Sequence, residues 1–190
     1  MNGPDKITIN TDGISDEEKA TEKFQSAYKD MLAQLTASGF IPVLCAHEAG
    51  HAIYFTLAGM KNFEPLPARI RWDSEINDYK GYLAAIQVLD LPPWTPGEFW
   101  NWLFKIARGH AAGGVIARKF MPSSDGGDKD DKERFIKLCD EIQKADPKVR
   151  IDSEDLWKKA QDSIVEELKN PANLAEVEKH AAMLRPLFGL

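Results

Sequence analysis

The sequence predicts a mainly helical α+β domain, with a small β-sheet inserted after a helix that carries the pattern H-E-x-x-H. Three observations predict it. Apolar residues recur at helical spacing along most of the 190 residues. Strand-like alternation is confined to residues 68–88. Glycines and prolines then divide the rest into segments of helical length.

The elements follow in order. The first dozen or so residues are polar, so residues 1–14 read as a flexible segment ahead of a single domain over residues 15–190. Ser15-Asp16-Glu17-Glu18 is a capping box, and Phe24, Tyr28, Met31, Leu32 and Leu35 follow at helical spacing. Gly39 ends that helix. The apolar run from Ile41 to Leu57 suits one helix, with Gly59 as a natural terminator. Ala68 to Trp72 and Gly81 to Val88 alternate as strands of the small sheet. After a loop punctuated by Pro92, Pro93 and Pro96, Thr95-Pro96-Gly97-Glu98 forms a second capping box, with proline at the first helical position of a helix to Phe120. Residues 130–145 and 153–188 read as two or three further helices, separated by Pro147 and Pro171.

Composition excludes several classes of function. No stretch approaches the roughly 18 apolar residues of a membrane-spanning helix. Met1 to Asp5 lacks a secretory start, and the two separated cysteines, Cys45 and Cys139, offer no disulfide framework. A reducing, cytoplasmic setting is expected. The net charge of −6 and the scattered Lys and Arg residues argue against a nucleic-acid partner. No glycine-lysine phosphate loop is present.

Chemistry concentrates in His47-Glu48-Ala49-Gly50-His51. Residues four apart stack on one helix face, so the two imidazoles can converge on one cation, while Glu48 points elsewhere and stays free to take a proton from water. An ordinary amphipathic helix with two histidines is the competing account. With only four histidines in the chain, this spacing around a glutamate arises by accident on the order of one time in a hundred. A carboxylate among Cys45, Ala46, Ala49, Ala52, Ile53, Tyr54 and Phe55 is also costly without a compensating charge. A catalytic zinc takes three protein ligands. The third could come from His110, from His180, or from the acidic group Asp125, Asp128, Asp130 and Asp131, some of which also suit the start of a helix. The aromatic run Trp94, Phe99, Trp100, Trp102 and Phe104 reads as core packing or as an interaction surface.

Cys45 to Ala52 resembles the H-E-A-G-H-A signature of the FtsH-type zinc metalloproteases. Residues 69–88 resemble the strand pair that follows it in that family. Gly109-His110-Ala111-Ala112-Gly113 resembles G-R-A-A-E, and Gly126-Gly127-Asp128-Lys129-Asp130 resembles G-A-S-N-D, whose aspartate is a zinc ligand. The match spans roughly residues 39–184, and only its first patch is strongly specific. His110 and Gly113 depart from the family's arginine and glutamate. The resemblance implies a stand-alone peptidase domain that binds Zn²⁺ through His47, His51 and Asp130, with Glu48 as general base, acting on flexible or unfolded polypeptides. Asp131 satisfies the same spacing from Gly127, but it sets Phe135 four residues on, where the family has a small inward-facing residue; Asp130 is therefore the implied ligand. Without the family's ATPase module, a homo-oligomer and a separate ATPase partner both stay open. The alternative function is a zinc-binding but proteolytically idle interaction module.

Overall fold

A computed structural model of the chain describes residues 16–60, 63–73, 78–86 and 95–189, with side chains for 20–60 and 95–189. It divides into two compact units, residues 1–38 and 39–190. The first contains helix α1 (Asp16–Ala37). Ser15, the expected cap of that helix, and residues 1–14 lie outside the described residues, as does the proline loop before residue 95.

The second unit holds α2 (Phe40–Leu57), strands β1 (Phe63–Asp73) and β2 (Asp78–Ile86), α3 (Pro96–Phe120), α4 (Lys129–Ala145), α5 (Ser153–Glu167), α6 (Pro171–Leu184) and a 3-10 turn over Arg185–Phe188. Gly39, at φ +85°, opens α2, and Gly59, at φ +86°, follows its last turn. The Thr95 hydroxyl accepts from the Glu98 backbone N–H while the Glu98 carboxylate accepts from the Thr95 N–H, so the expected capping box is complete. Asp152 and Asn170 cap α5 and α6 with their side chains.

The expected α+β class is corrected. Every fully described residue with regular structure is helical, and among the residues whose side chains are described the core comes almost wholly from helices. What lies between α2 and α3 is a two-stranded antiparallel ribbon, from the pair Phe63 and Ile86 to the pair Asp73 and Asp78. Its register shifts between Pro65 and Arg69, where Pro67 has no N–H for the ladder. Alternation along residues 68–88 signals strand pairing, but two strands without a third neighbour cannot form a layer of a fold.

The core of the second unit is built on Ile41, Leu103, Ile106, Ile116, Phe135, Ile164 and Val177, all essentially inaccessible to water. The approach of α2 to α3 sets the site. Cys45, Ala46, Ala49 and Gly50 of α2 are buried, as are Gly109, Ala111, Ala112 and Gly113 of α3. These small residues let two helix backbones come close. A methyl group built on Gly50 would stand 2.7 Å from Ile116 Cδ1 and 3.0 Å from the Ala112 carbonyl oxygen. Farther along α2, the Tyr54 hydroxyl donates to Glu167 Oε2 at 2.9 Å, the Arg108 guanidinium pairs with the same oxygen, and the guanidinium carbon lies 4.8 Å from the Tyr54 ring centre. Three helices, α2, α3 and α5, are fastened at that point.

Candidate metal centre

His47 and His51 lie one turn apart on α2, and α4 brings a carboxylate to them. His51 Nε2 is 2.9 Å from His47 Nε2 and 3.1 Å from Asp131 Oδ2; His47 Nε2 is 3.5 Å from the same oxygen. Among the described residues, these three form the one group of potential metal ligands whose donor atoms all lie within 4.8 Å of one another. The expectation of Asp130 as third ligand is not what the fold delivers. Asp130 is one residue back on α4, turned about 100° away, and lines a surface depression with Glu133, Arg134 and Lys137. Asp131 instead begins a buried stripe with Phe135 and Cys139 at positions i, i+4 and i+8, the inward face of α4.

The backbone decides which nitrogens face inward. The Gly126 carbonyl lies 3.1 Å from His47 Nδ1, and the Gly109 carbonyl lies 2.8 Å from His51 Nδ1. A carbonyl only accepts, so both Nδ1 atoms donate, and each Nε2 turns a lone pair or a shared proton toward the other histidine. Two such nitrogens at 2.9 Å, with a carboxylate oxygen beside them, need a positive charge between them. The electrostatics agree. Burial disfavours the charged form of His51, but the hydrogen bond and charge of Asp131 outweigh it and raise the pKa. Burial alone would raise Asp131, yet the two histidines hold its carboxyl well below the usual range.

The donor set fits zinc. Two imidazole nitrogens and one carboxylate oxygen are ligands zinc accepts, and bonds of about 2.0–2.1 Å in a tetrahedron place ligand atoms roughly 3.3 Å apart. The observed edges of 2.9, 3.1 and 3.5 Å bracket that spacing. The backbone of α3 closes one side of the cluster. A methyl group on Gly113 of α3 would come within 2.6 Å of His47 Nε2 and closer still to His51 Nε2, so no side chain fits there.

Glu48 follows His47 on α2. Burial pushes its pKa up, and the two histidines partly oppose the shift. Arg134 stands at the rim, 3.9 Å from Asp131 Oδ1. His110 does not join the cluster. Its ring packs edge-on against Phe55 and near Phe135, and burial lowers its pKa to about 4. His180 lies on α6, its Nδ1 donating to the Glu176 carbonyl. In the aromatic run, Trp100 is 42% exposed and Phe99, Trp102 and Phe104 are half-buried, while Leu103 and Ile106 between them fill the core. Trp94 lies outside the described residues.

No protein-family model, no curated protein and no solved structure matches the chain. No helix among the described residues is long and apolar enough to cross a membrane. Fold and geometry define a helical protein with a pre-assembled two-histidine, one-carboxylate cluster.

Proposed function

We propose that this chain is a zinc-dependent peptidase that hydrolyses peptide bonds in flexible or unfolded polypeptides. The observation that carries the reading is the convergence of His47 Nε2, His51 Nε2 and Asp131 Oδ2 beside Glu48. When bound, zinc supplies a Lewis acid that polarises a carbonyl and acidifies water. The residues of the chain do the rest. His47 and His51 are held in one tautomer by the Gly126 and Gly109 carbonyls, which leaves their Nε2 atoms as ligands. Asp131 contributes the negative charge that offsets part of the ion's charge. Glu48, adjacent to a ligand yet outside the ligand set, accepts the proton of the attacking water and returns it to the leaving amine.

The test uses the purified full chain, a zinc analysis and a peptide-library cleavage assay. The expected result is close to one zinc per chain and cleavage that falls at least about 100-fold in Glu48→Gln with zinc content unchanged. Full zinc with no cleavage of any library member would make the chain a zinc-binding interaction module instead. Absence of zinc binding would overturn the metal reading itself.

A further inference from the structure

Asp128 occupies the N-cap position of α4, where an aspartate ordinarily accepts from the first backbone N–H groups of the helix. Its side chain makes no such bond. The carboxylate is turned away: Asp128 Oδ2 accepts from Arg118 Nη2 at 3.0 Å and from Gln161 Nε2 at 3.2 Å. The other guanidinium nitrogen, Arg118 Nη1, donates to the Asp125 carbonyl at 3.0 Å. One arginine on the last turns of α3 therefore grips both ends of the segment Asp125–Asp128. Between those ends lies Gly126, whose carbonyl accepts from His47 Nδ1.

The inside of the segment is fixed as well. Gly126 and Gly127 hold φ of +87° and +66°, a region that favours glycine. The Gly126 N–H donates to Ser124 Oγ at 3.0 Å, and the Gly127 N–H donates to Asp125 Oδ1 at 2.9 Å. Asp128 also rests directly on the α3 backbone, for a methyl group on Gly114 would fall 2.6 Å from its Oδ2. Three residues after Asp128, within the first turn of α4, comes Asp131.

We infer that Asp128, clamped by Arg118, is a positioning residue for the metal centre: it sets the Gly126 carbonyl that orients His47 and the start of the helix that delivers Asp131, without touching either donor atom. The inference rests on the metal reading above. It assigns a job beyond capping to an aspartate at the start of α4, and it separates Asp128 from Asp125, whose side chain accepts from the Gly127 N–H within the turn.

The experiment compares the full-length wild type, Asp128→Asn, Asp125→Asn and Arg118→Lys. Zinc affinity is measured by competition with a chromophoric chelator, the coordination sphere by Co²⁺ visible absorption, and the metal-free fold by circular dichroism and thermal melting. Asparagine at 128 keeps the shape and removes the charge that Arg118 holds; lysine at 118 keeps a cation but cannot bridge two oxygens as a guanidinium does. Both are expected to weaken zinc binding by roughly 10–100-fold, as when an outer partner of a ligand is lost, and to shift the Co²⁺ bands. Asp125→Asn, which preserves an acceptor for the Gly127 N–H, is expected to match the wild type in both. A purely structural Asp128 would lower the metal-free melting temperature and leave affinity and the Co²⁺ spectrum alone, which would overturn the inference while the metal reading stands. Failure of the wild type to bind zinc or Co²⁺ would overturn both. Should Asp128→Asn not fold, Arg118→Lys decides by the same criteria.

Discussion

Replacing Gly113 with alanine asks whether the centre needs the α3 backbone bare beside the two histidines. Gly113 lies in the interior of α3, where alanine ordinarily stabilises a helix by roughly 0.5–1 kcal/mol relative to glycine. Propensity therefore favours the variant. The added methyl, however, would stand 2.6 Å from His47 Nε2 and Cε1 and still closer to His51 Nε2. An ordinary contact begins at about 3.4 Å, so the rings or the helix must yield by about 0.8 Å or more. Metal–ligand distances tolerate only about 0.2 Å. The rings have little freedom to retreat, since both Nδ1 atoms are tied to the Gly126 and Gly109 carbonyls. The expected outcome is a helical, folded protein whose zinc affinity falls at least about 100-fold, equivalent to about 2.8 kcal/mol. Chelator competition measures the affinity, and circular dichroism confirms the fold. A Gly113→Ala protein that binds zinc like the wild type would refute the reasoning, because the centre would then not need a bare backbone at that point.

The two adjacent aspartates give an independent check. Asp131→Asn is expected to reduce zinc affinity by more than about tenfold, whereas Asp130→Asn leaves it at the wild-type value, because Asp131 Oδ2 alone of the two lies against the histidines; chelator competition on both variants decides it, and the reverse order would return the third ligand to Asp130. His110 carries a pH prediction for the metal-stripped protein. Its folded pKa near 4 lies below the ordinary histidine value of 6.5, so the unfolded chain takes up its proton first on acidification. Its contribution to stability is therefore intact above pH 6.5 and is lost as pH falls toward 4, by about 3 kcal/mol in all. NMR titration of the His110 ring should show it neutral at pH 5, and denaturant melts of His110→Gln should be flatter than wild type between pH 6.5 and 4.

Much of the helical frame was legible, and the reasons are local. The Thr95 capping box with Pro96 marks the start of α3 because both signals act within one turn, and the bounds of α2 follow from its apolar run between Gly39 and Gly59. His47, Glu48 and His51 could be read because helical spacing alone brings the two histidines together. Asp131 ranks behind Asp130 in the sequence for a reason that the sequence itself can correct. The size of Phe135 counts against Asp131 in the resemblance, yet Phe135 is fully buried, and the stripe Asp131, Phe135 and Cys139 has the period of a buried helix face. The Gly126 and Gly109 carbonyls had no side-chain signature at all, since any residue type has a carbonyl. At the N-cap position of α4 local chemistry favours a capping role for Asp128, and only the tertiary approach of Arg118 and Gln161 diverts it. The fold class failed differently: alternation along residues 68–88 reports pairing between neighbours and says nothing of a third strand.

Two histidines on one helix constrain nothing beyond that helix. Asp131 changes this, because it meets His51 from 80 positions farther along the chain. An ion held by all three would act as a cross-link, closing a loop that contains the strand ribbon, the whole of α3 and the Gly126 turn. In the unfolded chain such a closure costs entropy that grows only slowly with length, whereas in the folded protein the ends already lie together. Zinc would thus draw α2 and α4 into one cooperative unit, and its release and the parting of those helices would be a single event. In the peptidase proposed above, that coupling would make the centre a gauge of its own fold: an unfolding copy would lose its metal, and with it the means to cut its neighbours.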